Sequence, residues 1–479
     1  MKLRELFSAG VAAGDADLDI AGLTADSRAV APGFLFAALK GVAAHGRDFV
    51  EQAKAKGAVA VLSAGDLKDD PGIAHIVSEN ARRDFALAAS RFYPRTPATL
   101  VGVTGTNGKS STVDFLRQIW AASGRSAASL GTLGAIWKGG VIDLGHTTAD
   151  PVALHATLHM LAENGVTHAA MEVSSHGLEQ DRVAGLTYSA GAFLNLTQDH
   201  LDYHLTMDAY RAAKMRLWER VKGPAIINAD SPEADTFADG ARGAGLNVVT
   251  TGWRAGADGL KIVEIQPRPA SQVLTLRWRG EEDDVELPLI GEFQAINAVT
   301  AATLALALGE TPVNVFAALA QLRPVKGRME HIGASRSGAH VFVDYAHTPD
   351  GLNVLLRAAR PHAPGRVICV FGCGGDRDKT KRAKMGAVAA KFADVVIVTD
   401  DNPRNEDAAA IRAQVLEGAP QAMEIGGRRE AIFAAVEMLR QGDALLIAGK
   451  GHETGQIIKG VVHPFADQDV AKEALGLNQ

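Results

Sequence analysis

The residues most able to do chemistry sit in Gly105-Thr106-Asn107-Gly108-Lys109-Ser110-Ser111, directly after the apolar run Leu100-Val101-Gly102-Val103. Backbone N–H groups of such a loop wrap phosphate oxygens, and the N-terminus of the following helix adds positive partial charge. Lys109 is placed to reach outer phosphates and the Ser110 hydroxyl to hold Mg²⁺. The strict phosphate-loop pattern asks for a further glycine where this chain has Val103. Glu172 and His200 are oxygen and nitrogen ligands that could complete the Mg²⁺ site, although His200 taken alone reads as a hydrogen-bonded loop histidine. Lys214, in Tyr210-Arg211-Ala212-Ala213-Lys214-Met215, has no acidic residue three or four positions away. From spacing alone it is an ordinary helix lysine.

Polar clusters follow nearly every strand signal at its C-terminal end. In the middle of the chain they are Glu172-Val173-Ser174-Ser175-His176 and the stretch 195–204. Further on they are Asp344-Tyr345-Ala346-His347, the stretch 372–378, Asp400-Asp401-Asn402-Pro403-Arg404 and Gly449-Lys450-Gly451-His452-Glu453. Ligands of open α/β sheets bind outside the carboxyl ends of the strands, so clusters in phase predict a site built from several loops.

The elements that must position these groups follow from the periodicity. Strands are expected at residues 100–103, 168–171, 190–194, 340–343, 367–371, 395–398 and 444–447. Helices are expected over 81–92, after Lys109 with Val113, Leu116 and Trp120 on one face, and over 295–308. Alternation of strands and helices implies right-handed crossovers and a mostly parallel sheet. Proline-rich joints at Tyr93-Pro94-Arg95-Thr96-Pro97 and near Leu322-Arg323-Pro324 divide the chain into residues 1–96, 97–330 and 331–479. That agrees with 479 residues at ~150 per domain. The acidic runs 66–70 and 281–284 read as solvated turns.

Composition limits the function. A formal charge of −6 argues against nucleic acid as the main partner. Two cysteines, Cys369 and Cys373, cannot build a disulfide framework and are expected to be packed and reduced. No apolar run reaches the ~18 residues of a membrane span, and the first residues lack a signal-type apolar core, so the expectation is a cytoplasmic protein.

From Thr24-Ala25-Asp26-Ser27-Arg28 to Gly449-Lys450-Gly451-His452-Glu453 these motifs resemble the Mur ligase family, the ATP-dependent amide-forming enzymes of peptidoglycan precursor synthesis. The resemblance is strongest to members that add meso-diaminopimelate to UDP-N-acetylmuramoyl-L-alanyl-D-glutamate. It implies an α/β chain of three domains: an N-terminal one for the uridine nucleotide, a central P-loop-type ATPase domain with a mostly parallel sheet, and a C-terminal Rossmann-like domain. It implies ATP and Mg²⁺, small-molecule substrates, a monomer, and no nucleic acid or membrane partner.

Position by position, the resemblance implies that Ser27 contacts the uridine diphosphate. Thr147, Thr148, Ser174, Gln180 and Arg182 would hold the muramoyl dipeptide. Lys109, Glu172, His200 and Lys214 would be catalytic; Ser110, Glu172, His200 and a carbamylated Lys214 would bind Mg²⁺. Asn297, Arg328 and Asp344 would touch the ATP nucleotide. Arg377, Asp401, Asn402, Pro403, Arg404, Gly449 and Glu453 would hold the incoming amino acid. Family members that add lysine typically lack arginine at the position of Arg404. The chain departs from the family pattern at Gln294 in Gly291-Glu292-Phe293-Gln294-Ala295-Ile296-Asn297, and at Val42-Ala43-Ala44 before His45-Gly46-Arg47.

Three other readings compete. A folylpolyglutamate synthase would run the same reaction type on a folate; Asp401-Asn402-Pro403-Arg404 and the N-terminal segment count against it. A phosphate-loop kinase or switch would leave the C-terminal clusters unused. A non-catalytic nucleotide-binding protein would tolerate loss of Glu172 and His200.

Overall fold

The computed structural model describes every residue except Val42, Ala43, Asp66, Lys68, Asn478 and Gln479. The departure at Val42-Ala43-Ala44 and part of the acidic run 66–70 therefore lie outside the described residues. The chain forms two compact units, Met1–Thr251 with Thr303–Thr311, and Gly252–Ala302 with Pro312–Gln479.

In the first unit the N-terminal segment makes a parallel sheet in the order Gly22–Thr24, Phe34–Ala37, Ala60–Ser63, Ala74–Val77. Period-2 alternation sends Leu35, Ala37 and Leu62 toward Phe85 and Ala89 of helix Ala81–Phe92. Phe36 and Val61 face the opposite way, onto Val50 and Ala53.

The central sheet of this unit runs Val248–Gly252, Ala225–Asn228, Ala190–Phe193, Thr99–Thr104, His168–Glu172, Ala127–Gly131 in parallel. It continues through the antiparallel strands Gly134–Trp137 and Gly140–Ile142. Strand Thr99–Thr104 is buried between Ala190–Phe193 and His168–Glu172. The glycine loop, the Glu172 cluster and the Asn195 cluster thus leave three adjacent strands at the same end. Helix Lys109–Ala122 starts at Gly108, whose φ of 88° is left-handed, and buries Val113, Leu116 and Trp120 as expected.

In the second unit the strand order is Glu330–Ala334, His340–Asp344, Ala444–Ala448, Val367–Phe371, Val395–Val398, Met423–Glu424, with only the first pair antiparallel. Val341, Val343, Ile368, Val370, Leu445 and Ile447 pack on one face; Phe342, Val367, Cys369, Phe371 and Leu446 pack on the other. Sheets covered on both faces read as continuous apolar runs, which is why these strands were legible. Strand Ala444–Ala448 returns between two earlier strands, and the crevice at that reversal is where the polar loops gather.

The run 281–284 is a strand rather than a turn. Glu281–Leu287 pairs antiparallel with Gln272–Trp278, which pairs with Leu260–Pro267. Residues 281–284 are exposed, and Arg277 pairs with Glu282 across the ladder. A charged edge discourages pairing with another chain, and that same charge hid the strand from a hydropathy reading. Cys369 and Cys373 are free and buried; burial pushes their thiols up to about 12 and about 11. Among the described residues no helix is long and apolar enough to cross a membrane.

Candidate active site

The predicted residues fall into two sets, one in each unit. In the first, the glycine loop is clamped by Asn195, the first residue of the polar cluster 195–204. Asn195 Oδ1 accepts from Asn107 N at 2.9 Å, Asn195 Nδ2 donates to Asn107 O at 3.1 Å, and Asn195 O accepts from Thr106 N at 2.9 Å. Thr106 Oγ1 donates to Thr197 O at 3.3 Å and lies 3.2 Å from the Tyr210 hydroxyl. The loop is therefore preorganised by strand Ala190–Phe193 and by helix Met207–Met215, which also carries Lys214.

Lys109 Nζ donates to Gly105 O at 2.9 Å and Thr106 O at 2.8 Å. Lys214 is 1% exposed, and its Nζ donates to the same Gly105 O at 2.8 Å. Burial, reinforced by the charge of Lys109, lowers the Lys214 amine well below its ordinary value. The Tyr210 ring, 4.5 Å from Nζ, favours the cation. Desolvation is the larger effect, so the amine is held toward its neutral form.

Ser110 Oγ donates to Glu172 Oε1 at 2.8 Å, and Thr132 N donates to the same oxygen at 2.8 Å. Thr148 Oγ1 donates to Glu172 O at 3.0 Å and accepts from Ser174 N at 3.0 Å, tying two predicted positions together. Ser110 hydroxyl and buried Glu172 carboxylate form an oxygen pair of the kind Mg²⁺ takes along with phosphate oxygens. Gly131 closes this corner: a Cβ there would overlap the Glu172 carboxylate. The only signal for Gly131 in the sequence is its position at the end of strand Ala127–Gly131.

His200 is exposed with φ of 52°, and its N donates to Asp199 Oδ1 at 2.8 Å. Its ring stands 4.9 Å from His176 and 6.1 Å from Tyr210. Burial and then the charge of His200 lower the His176 imidazole to about 4. Five residues on, Leu205 has φ of 66°, and Thr206 N bonds His204 O at 2.8 Å across it. This is a γ-turn in its strained form. Helix Leu201–His204 is thus bounded by two residues with left-handed φ. Among the described residues no three His, Cys, Asp or Glu side chains are grouped so as to hold a metal.

Thr147 Oγ1 lies 3.0 Å from Thr132 Oγ1. Arg182 grips Gln180 Oε1 through Nε at 3.1 Å and Nη2 at 2.8 Å, and donates from Nη1 to Thr148 O at 2.8 Å; Gln180 Nε2 reaches the Tyr203 hydroxyl at 3.1 Å. Ser174 caps helix Ser175–Glu179 by accepting from Gly177 N at 3.1 Å. Thr147, Thr148, Ser174, Gln180 and Arg182 are thereby linked to Glu172 by hydrogen bonds. Ser27 is buried in the N-terminal segment and donates to Gln52 Oε1 at 2.9 Å.

In the second unit Asp344 accepts from Met329 N at 2.7 Å and Ala346 N at 2.8 Å, while burial raises its carboxyl. The Arg328 guanidinium lies 4.8 Å from the centre of the Tyr345 ring. Asn297 is buried on helix Glu292–Ala307, and Gln294 on the same helix donates to Arg328 O at 2.9 Å. Gln294 Oε1 is buried with no partner among the described residues.

The loops after Val367–Phe371, Val395–Val398 and Ala444–Ala448 converge. Asn402 Nδ2 donates to Glu453 Oε2 at 2.8 Å, and Arg404 Nη1 donates to Gly375 O at 2.8 Å. Arg404 has φ of 52°, with its N bonded to Ile457 O at 2.9 Å. Non-glycine residues held there cost on the order of 1–3 kcal/mol and cluster at ligand sites. Asp407 does not take Arg404; it caps helix Ala408–Leu416. Pro403 is buried between Asn402 and Arg404, and Arg377 is exposed on the loop bearing Gly375. A Cβ on Gly449 would fall 2.6 Å from Asp401 Oδ2, so strand Ala444–Ala448 ends against that carboxylate. Burial raises the Asp401 carboxyl, while Arg428 and Lys450 oppose the rise. Arg382, buried and unremarked in the sequence, holds Gly374 O at 3.2 Å and Glu406 Oε1 at 2.9 Å, bracing the same glycine loop.

The chain matches three family models: "Mur ligase family, catalytic domain" over residues 19–91, "Mur ligase middle domain" over 103–305, and "Mur ligase, glutamate ligase domain" over 327–451. It is 48% identical to the UDP-N-acetylmuramoyl-L-alanyl-D-glutamate–2,6-diaminopimelate ligase of Caulobacter vibrioides, with 99% of this chain and 98% of that one covered. The ligase of the same name from Agrobacterium fabrum is also 48% identical, with 99% and 96% covered. A solved structure of a ligase so named superposes with a TM-score of 0.76 at 32% identity, covering 100% and 99% of the two chains. The MurF ligase of Thermotoga maritima in complex with ADP shares the fold, with a TM-score of 0.64 at 18% identity and 96% and 97% covered.

Proposed function

Since the chain belongs to the Mur ligase family, we propose that it is the ATP-dependent ligase that joins meso-diaminopimelate to UDP-N-acetylmuramoyl-L-alanyl-D-glutamate in peptidoglycan precursor synthesis. The observation that carries the reading is the convergence of Lys109, Ser110, Glu172 and Lys214 around one loop at the carboxyl ends of adjacent strands. A phosphate-loop switch needs the first two residues; a buried lysine held toward its neutral amine is an addition that suits a carbamate.

A carboxylate is a poor acyl donor. The γ-phosphoryl group of ATP passes to a carboxylate oxygen of the nucleotide-linked peptide, giving an acyl phosphate and ADP. The amine then attacks the acyl carbon, and phosphate leaves with the bonding electrons as the nitrogen loses its proton. Loop N–H groups from Gly105 to Ser111 hold the phosphates, and Lys109 neutralises charge that grows on the transferring group. Ser110, Glu172, His200 and a carbamate on Lys214 would hold Mg²⁺, which would supply further neutralisation of that charge. Thr147, Thr148, Ser174, Gln180 and Arg182 orient the peptide, Ser27 the uridine diphosphate, and Asn297, Arg328 and Asp344 the ATP nucleotide. Arg377, Asp401, Asn402, Pro403, Arg404, Gly449 and Glu453 orient the amino acid. Positioning and electrostatics, rather than a protein nucleophile, supply the rate.

The three segments 1–96, 97–330 and 331–479 serve the uridine nucleotide, ATP and the amino acid in this scheme, in a monomeric cytoplasmic enzyme acting on small molecules and on neither nucleic acid nor membrane. The test is ADP release with each substrate withheld in turn. Release that needs the nucleotide-peptide and the amino acid together supports the ligase. Release with ATP alone at the full rate returns the chain to the phosphate-loop switches.

A further inference from the structure

One buried cation has no part in the scheme above. Lys450, in the loop after strand Ala444–Ala448, has a side chain that is 0% exposed. Its Nζ donates to Gly455 O at 2.6 Å, Glu453 Oε2 at 3.1 Å and Asn402 Oδ1 at 3.2 Å. Three acceptors use all three protons of an ammonium.

The consequence falls on Asn402. Its Oδ1 also accepts from Ile457 N at 3.0 Å. Both partners of that oxygen are donors only, so the amide cannot be flipped without setting donor against donor. Asn402 Nδ2 must therefore face Glu453 Oε2, where it lies at 2.8 Å. An incoming ammonium group can only donate. The Asn402 oxygen is already taken by two protein donors, so of these two side chains the Glu453 carboxylate is the acceptor that remains. Glu453 Oε2 is fixed by two donors, while its side chain remains 35% exposed.

The charges agree with this assignment. The charges of Arg428, Lys450, Glu453 and Asp467 all act on the Asp401 carboxyl. Arg428 closes on Asp467 through two bonds of 2.7 Å, both side chains being 0% exposed. Lys450 then stands against Glu453, whose second carboxylate oxygen is left to meet a cation.

We propose that Lys450 is a positioning residue for amino-acid selection: by locking the Asn402 amide and one Glu453 oxygen, it directs Glu453 to receive an ammonium group of the incoming amino acid. The inference rests on the amino-acid site of the proposed ligase and deepens it.

Lys450→Met keeps the length of the side chain and removes its donors. ADP release is measured with meso-diaminopimelate, ATP and the nucleotide-peptide each varied in turn, and thermal unfolding is followed alongside. The KM for meso-diaminopimelate should rise about tenfold or more, with the other two KM values kept. Because Lys450 acts on Glu453, both directly and by way of Asn402, Lys450→Met combined with Glu453→Gln should raise that KM no further than the worse single change. Should Lys450→Met fail to fold, Lys450→Gln takes its place with the same expectation. An unchanged KM for meso-diaminopimelate, an equal loss toward all three substrates, or additive effects in the double variant would overturn the assignment. Absence of turnover in the unmodified protein would instead overturn the ligase reading, and this one with it.

Discussion

Lys109 and Lys214 donate to one oxygen: Gly105 O takes Lys109 Nζ at 2.9 Å and Lys214 Nζ at 2.8 Å. Two ammonium groups on one acceptor repel, and burial together with the charge of Lys109 pushes the Lys214 amine toward its neutral form. A neutral amine adds to CO₂: the nitrogen bonds carbon, loses a proton and leaves an anionic carbamate. In the proposed scheme the loop that would hold phosphate thereby also favours conversion of Lys214, on the neighbouring helix, from a donor into an oxygen ligand.

Lys214→Ala should lose most turnover while its melting temperature stays close to that of the unmodified protein, and an added short-chain carboxylate should restore part of the rate. Lys214→Arg keeps the positive charge but cannot be carbamylated, so it should be as inactive as Lys214→Ala. Steady-state rates of the two variants check this, and unimpaired Lys214→Arg would end the carbamate account.

Gly131→Ala should behave as a loss of Glu172. The added Cβ overlaps the Glu172 carboxylate, while Gly131 has no left-handed φ to strain. Moving that carboxylate breaks its bonds to Ser110 and Thr132. We expect kcat to fall to the level of Glu172→Gln, with the change carried by ATP turnover rather than by binding of the uridine substrate. Full activity in Gly131→Ala would mean that the Glu172 carboxylate is not held where turnover needs it.

Stability should fall on acidification below about pH 6.5. Burial lowers the His155 imidazole to about 4, and burial with His340 lowers His331 to about 4. Each binds its proton more weakly folded than unfolded, so its stabilisation is complete above 6.5 and drains as pH falls toward 4. The rate is up to about 1.4 kcal/mol per pH unit for each group. His155 Nε2 bonds Ala184 O at 3.1 Å, and its buried Nδ1 has no partner among the described residues, so a second proton finds no acceptor. His155→Gln keeps a donor without titrating. Its unfolding midpoint should change less between pH 7 and 5 than that of the unmodified protein. Parallel pH curves would contradict this.

Strands Thr99–Thr104, His168–Glu172 and Ala190–Phe193 of the central sheet, and His340–Asp344, Val367–Phe371, Val395–Val398 and Ala444–Ala448 of the other, could be read directly because they are largely buried runs bounded by glycine or polar turns; neighbours such as Ala225–Asn228 and Val248–Gly252 were not read. Strand Glu281–Leu287 could not, since its exposed acidic face carries the signature of a turn. The phosphate loop and the polar strand ends were equally legible. Gly131 and Arg382 were hidden, and Asn195 and Lys450 were visible only as members of polar clusters, because all four act through tertiary contacts with residues distant in the chain, as Asn195 does with Asn107. Lys214 looked like an ordinary helix lysine because burial against Gly105 and Tyr210 has no local sequence signal.

Which amino acid is joined turns on Arg404. Its guanidinium is held by Gly375 O at 2.8 Å and its backbone by Ile457 O at 2.9 Å, with a left-handed φ of 52° that the loop must maintain. A fixed guanidinium matches a carboxylate with two parallel charge-assisted bonds. Meso-diaminopimelate carries that carboxylate at the far end of its side chain; L-lysine does not, and a site built to bond a missing group can discriminate by about 10⁴. The measurement is kcat/KM for the two amino acids, by ADP release with UDP-N-acetylmuramoyl-L-alanyl-D-glutamate and ATP, in the unmodified protein and in Arg404→Ala. Turnover should be strong with meso-diaminopimelate and almost absent with L-lysine, and Arg404→Ala should narrow that preference through loss of diaminopimelate use. Comparable kcat/KM for the two amino acids in the unmodified protein would contradict it.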